Sequence, residues 1–125
     1  MTDDAKHDAT FSQYTKAIET RDRGALLELF TEDAVQIDPY PSAPNVGREA
    51  IGGFFDQTWA MTEAMEFIVG KAIVSADRGV FPFTVRSTVG GSQVEVDAID
   101  VVRFAADGRI AELTAFVDYA GMRSL

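Results

Sequence analysis

A chain of 125 residues, 46% of them apolar and with a formal charge of −9, has the size of one globular domain around a single core. The excess negative charge argues against nucleic acid and anionic membrane surfaces as partners, since binding either would bring like charges together. No cysteine is present, which excludes a disulfide scaffold, a thiolate nucleophile and a thiolate metal site and leaves the redox compartment open.

The N-terminus, residues 1–8, is polar and acidic where a secretory signal would start basic and turn apolar, and no apolar stretch approaches membrane-spanning length. A cytoplasmic protein is the expectation: one domain over residues 1–125, loose over about 1–7, with no repeat or linker dividing it. Over residues 8–20, Phe11, Tyr14 and Ile18 recur at intervals of three and four, which makes one helical face and turns Tyr14 toward the core. Asp22 is placed to cap a second, short helix over 25–30, and a brief extended run over 34–37 follows. It stops at Asp38-Pro39. The segment 38–45 holds Pro39, Pro41 and Pro44, each fixing its own backbone and biasing its predecessor toward extended shapes, so a stiff loop is expected. A third helix over 48–62 puts Ile51, Phe54, Phe55, Thr58 and Trp59 on its inner side, with Gly52-Gly53 as a local weakness. After it the period changes to two, and strands are predicted over 66–74, 79–89, 92–104 and 109–119, with hairpin turns at Gly90-Gly91 and Asp107-Gly108. Helices followed by a long antiparallel meander make an α+β domain, in which three N-terminal helices cover one face of a curved sheet and leave a cone-like pocket.

Three residues stand out chemically. Alternation along 94–104 puts Val94, Val96, Ala98, Asp100, Val102 and Phe104 on one face and Glu95, Asp97 and Arg103 on the other, so Asp100 is the one charge on the apolar side. A carboxylate buried without a partner raises its pKa and becomes a neutral hydrogen-bond donor. From the strand alone, pairing with a buried arginine or capping of backbone groups is the more ordinary account. Tyr14 on a helix's core face is ordinarily packing with its hydroxyl tied off. Asp38 before a proline is ordinarily a turn initiator, and its functional alternative is a carboxylate held at a pocket mouth to move a proton.

Other constellations lack material. His7 is the sole histidine and sits at the expected loose end, so neither a serine–histidine triad nor a histidine-bound metal can be assembled. Glu95 and Asp97 share the polar face and read as a solvated hairpin surface rather than a cation site. Gly52-Gly53 lacks the strand-to-helix setting of a phosphate loop.

Tyr14, the run 29–39 (LFTEDAVQIDP), the run 81–85 (FPFTV) and the run 97–104 (DAIDVVRF) together resemble the bacterial Δ5-3-ketosteroid isomerases, which share the cone-shaped fold of nuclear transport factor 2. The resemblance spans nearly the whole chain and implies an activity: Asp38 as general base carrying a proton from C4 to C6 of a 3-oxo-Δ5-steroid, with Tyr14 and protonated Asp100 as an oxyanion hole. It implies no cofactor and no metal, a small hydrophobic ketosteroid-like substrate, and a homodimer. The substrate wall it implies is Phe54, Phe83, Val85, Val102, Leu113, Ala115 and Val117, in agreement with the alternation; Phe55 and Trp59 are counted to the same wall, Trp59 as an extra aromatic near the expected mouth whose more ordinary role is packing. Where some members support the tyrosine with further tyrosines, this chain has Phe30 and Phe55, which leaves Tyr14 without hydroxyl partners. Tyr40-Pro41 replaces the family's glycine-containing loop and is expected to narrow the entrance. A non-catalytic steroid- or polyketide-binding module, and a related cyclase or dehydratase, remain the alternatives, because fold alone does not fix function.

Overall fold

In the computed structural model, which describes residues 3–125, α1 (Asp3–Thr20) buries His7, Phe11, Tyr14 and Ile18 along one face. The helix starts at Asp3, earlier than the periodicity of its phenylalanine face indicates. His7 lies one turn before Phe11 and stacks on Phe104 with ring centroids 3.9 Å apart, so the segment expected as a loose end is helical from Asp3 onward. The first two residues lie outside the described part of the chain.

α2 (Arg23–Glu28) is capped as expected: the Asp22 carboxylate accepts from the Ala25 N–H at 3.1 Å. Phe30, which the helical spacing assigns to α2, instead opens β1 (Phe30–Ile37). There it pairs with Ile110, and its carbonyl accepts two bonds from the Arg48 guanidinium, at 3.0 and 2.6 Å. After the loop 38–44 come β2 (Asn45–Val46) and α3 (Arg48–Met61). α3 runs unbroken through Gly52-Gly53; a Cβ at Gly52 would run into the Arg23 guanidinium and Leu27, so the missing side chain lets α2 and α3 approach.

The remaining chain is strand: β3 (Ala64–Val69), β4 (Ile73–Ser75), β5 (Arg78–Val89), β6 (Ser92–Phe104), β7 (Ile110–Val117) and β8 (Arg123–Ser124). The single strand predicted over 66–74 is two pieces. Both pair with β5, and at the break the Gly70 N–H donates to the Pro82 carbonyl at 2.9 Å. Gly90 and Gly91, at φ 59° and 79°, take the two positive values that a tight β5–β6 hairpin needs. The sheet order is β2-β1-β7-β6-β5-β3, with β1 parallel to β7 and its other pairs antiparallel.

The helices cover one face of this curved sheet, and the core lies between them. Phe11 stacks on Phe81 at 4.2 Å, and Leu26, Ile51, Ile110, Leu113 and Val102 complete the closed end, each worth about 1.5–3 kcal/mol on burial. On the opposite face Glu95 is buried rather than solvated. Its cross-strand neighbours Arg86 and Arg123 clamp it at 2.6 and 3.1 Å, because β8 folds back over β6. The Arg86 hydrogen bond, above all, holds the Glu95 carboxyl below its usual pKa.

Candidate active site

Strand register aligns the inward residues in rows. Asp100 lies opposite Phe81 on β5 and Ala115 on β7. Ile37 pairs with Thr114, so the next positions, Asp38 and Ala115, adjoin, and the Tyr40 N–H donates to the Ala115 carbonyl at 2.8 Å. Asp38 and Asp100 are therefore two strand spacings apart, roughly 10 Å between Cα atoms. The small side chain of Ala115 keeps the space between them open. Tyr14 reaches the same space from α1.

These three polar residues share a cavity of about 140 Å³ whose other walls are apolar except for Thr58. Among the described residues no protein group hydrogen-bonds the Tyr14 hydroxyl or the Asp100 carboxyl, so both remain available to a guest. The ordinary account of an inward acid, a buried arginine partner, does not apply to Asp100. Around Tyr14 stand the rings of Phe11, Phe30 and Phe55, at 5.4, 6.0 and 6.2 Å, and none of them carries a hydroxyl.

Burial sets the protonation states. Asp38 is pushed up from the ordinary 3.8 to about 6 by desolvation, which leaves it mostly ionised at neutral pH. Asp100 is raised well above the carboxylate range, first by burial and then by the negative charge of Asp38. Tyr14 is likewise raised, by burial first and then by Asp100 and Asp38. The arrangement holds one base and two neutral donors in one apolar space. Among the described residues no group of three or more His, Asp or Glu side chains is disposed to hold a metal ion.

Of the wall residues expected from sequence, Phe54, Phe55, Phe83, Val85, Ala115 and Val117 line this cavity. Val102 and Leu113 do not; they lie one row deeper, paired with each other and almost fully buried in the closed end. Trp59 does not either, because it packs behind Phe55 and spends its indole N–H on the Ile18 carbonyl at 3.1 Å. Tyr40 turns outward onto Phe116 at 5.2 Å instead of narrowing the entrance. Ile18, Thr58, Met65, Phe67, Val96 and Ala98 complete the wall beyond the residues expected from sequence. For Thr58, Ile18, Val96 and Ala98 the inward periodicity was the available signal, and for Met65 and Phe67 the alternation of β3.

A larger, open depression of about 680 Å³ lies on the outward sheet face, over Ile68, Pro82, Ile99 and Phe116. Its acids are already engaged, Asp97 with Thr84 and Arg123 and Asp118 with the Gly121 N–H, so it offers no base.

The cone of three helices on a curved, unclosed sheet, with its cavity between them, is the nuclear transport factor 2-like fold. Within that fold, the chain belongs to the SnoaL-like domain family, which it matches over residues 11–113. It is 31% identical over 108 residues to a steroid Delta-isomerase of Nocardioides simplex, an alignment covering 86% of each chain. The family-level resemblance to ketosteroid isomerases therefore stands. Among solved structures, the epoxide hydrolase/cyclase-like enzyme SalBIII, reported for its role in pyran ring formation in polyether salinomycin, superposes with a TM-score of 0.89 over the whole of both chains at 21% identity. A computationally designed 17-OHP binder superposes with a TM-score of 0.85 at 22% identity, over 96% of this chain and 98% of that one. Those two likenesses show the fold.

Proposed function

We propose that the protein is a steroid Δ-isomerase that converts 3-oxo-Δ5-steroids to 3-oxo-Δ4-steroids by intramolecular proton transfer. Asp38 removes the C4 proton as general base and returns it to C6. Between the two steps the substrate's O3 carries dienolate charge, and Tyr14 and protonated Asp100 donate hydrogen bonds to it. Donors fixed in advance favour the charged transition state over the neutral ketone, because an apolar site strengthens their field and they need no reorganisation. The observation that carries this reading is the meeting of Tyr14, Asp38 and Asp100 in one apolar cavity, with the Tyr14 hydroxyl and Asp100 carboxyl unbonded to protein and Asp38 near pKa 6. The kinship with a steroid Delta-isomerase supports it.

The cavity is smaller than the ~300–1,000 Å³ typical of pockets that enclose a whole drug-sized ligand. On this reading the cavity takes the ketone-bearing end of a steroid, and the rest of the molecule lies toward the part-buried Phe54, Met65 and Phe67. The same reading takes the protein to be cytoplasmic and homodimeric, with a second copy covering the exposed Ile68, Ile99 and Phe116 of the outward sheet face. Light scattering at a monomer's mass would remove the dimer from it. Incubation with 5-androstene-3,17-dione, followed by conjugated-enone absorbance, tests the activity. Ligand-induced stabilisation with no conversion would turn the reading to a binding module.

A further inference from the structure

Gln36 is an inward polar residue for which the proton-transfer scheme has no use. It is fully buried one row behind Asp38, and that row is otherwise Leu113, Val102 and Gly79. Its Oε1 accepts from the Asn45 Nδ2 at 3.0 Å, while its Nε2, shut off from solvent, has no acceptor among the described residues. A leucine or methionine would occupy the same space without leaving a buried donor unpaired, and an unpaired buried donor is costly. A glutamine in that setting calls for a role that an apolar side chain cannot fill.

Two features of the surroundings define the role. Gln36 and Asn45 are cross-strand partners where β1 ends and β2 begins, so their side-chain bond clips together the two ends of the loop on which Asp38 stands. Asp38 follows two positions later on the same strand face, about 7 Å away between Cα atoms, which is within reach of a glutamine amide. The register neighbour on β7, Leu113, offers no side-chain acceptor.

We propose that Gln36 is a positioning residue for Asp38: through Asn45 it fixes the foot of the loop, and its Nε2–H is the donor that the Asp38 carboxylate takes when it carries charge. The inference rests on Asp38 being the proton-moving base. The titratable groups that face Asp38 across the cavity are Tyr14 from α1 and Asp100 from β6; α3, β3, β5 and β7 present none there. Neither Tyr14 nor Asp100 changes when Gln36 is replaced, so a moved Asp38 midpoint reports on the amide.

The test is the ionisation of Asp38 in the ligand-free protein, followed through its side-chain carboxyl carbon by NMR in the parent protein, Gln36→Leu and Asn45→Ala. Loss of a hydrogen bond to the charged form raises a carboxyl pKa, so Gln36→Leu should move the Asp38 midpoint up by about one pH unit, a tenfold change in its ionisation constant. Asn45→Ala keeps the donor and should move it by less than a third of that. Melting temperature separates this from a merely structural role. At pH 4, where Asp38 is protonated and the proposed bond is absent, Gln36→Leu should melt at or above the parent temperature, because the unpaired donor is gone. Gln36→Met serves in its place if the leucine variant does not fold. An Asp38 midpoint unmoved in the variant that folds, or a shift as large in Asn45→Ala as in Gln36→Leu, would overturn the proposal. The titration needs no turnover: a parent protein that fails to isomerise steroids would sink the proposed activity and leave the Gln36 result to be judged by itself.

Discussion

Asp38 and Asp100 face the same cavity from either side of Ala115, one carboxyl near pKa 6 and the other held well above the carboxylate range. Two like groups in one apolar space cannot both ionise cheaply, and the more deeply buried one keeps its proton. On the proposed reading, this difference in environment allots the roles of base and acid. Activity should rise with pH along an acid limb whose midpoint in kcat/KM lies near 6, since that parameter reports the free protein. A profile flat from pH 5 to 8 would detach Asp38 from the rate.

Replacing Asp38 should separate stability from function. Its folded pKa, about 6, lies above the ordinary 3.8, so the folded state holds a proton that the unfolded chain releases between about pH 4 and 6. Stability attributable to this group is present below that window and is lost as pH rises through it, by up to about 3 kcal/mol. Asp38→Asn should therefore melt several degrees higher than the parent at pH 7 and near the parent at pH 4. Its turnover should fall at least ~100-fold. Equal turnover, measured by enone absorbance, would remove Asp38 from the base's place.

The two donors should differ in their response to mutation. Tyr14→Phe deletes a hydroxyl that nothing replaces and should lower kcat by about 10²–10³. Asp100→Asn keeps an N–H donor and should lose less than Asp100→Leu, which keeps none. Phe55→Tyr brings a hydroxyl toward Tyr14, whose ring lies 6.2 Å away and has no such partner. In that variant the Tyr14 phenol should titrate at lower pH by ultraviolet difference spectroscopy, because a hydrogen bond to the phenolate favours it.

Ala115 should act as the gap-keeper between the carboxyls. Ala115→Leu fills that space, so binding of a phenolic steroid should weaken at least tenfold by calorimetry while the circular dichroism of the fold is retained. Unchanged binding would mean that the guest lies elsewhere.

Much of this was legible in the sequence, for reasons that also mark the boundary. The inward set on β6, with Asp100 as its lone charge, follows from a period of two, and Tyr14 on the core face of α1 from a period near 3.6. Periodicity gives the face and not the depth. Val102 and Leu113 have the same inward phase as Asp100 and Ala115, yet lie a row deeper, in the closed end. Trp59 shares the stripe of Phe55 and is drawn aside by its bond to Ile18. Long-range pairing was hidden for a similar reason. The parallel β1–β7 contact brings Asp38 beside Ala115, and β8 covers Glu95, and both depend on segments far apart in the chain. His7, set aside as part of a loose end, proves to be the first buried ring of α1.

The measurement that bears most directly on the proposed activity is label transfer. Purified protein is incubated with 5-androstene-3,17-dione deuterated at C4, and the product is analysed for enone formation and for the position of the label. A single carboxylate shuttling the proton should yield the conjugated isomer far faster than buffer, with deuterium retained at C6. Enone formation no faster than in buffer would contradict the account.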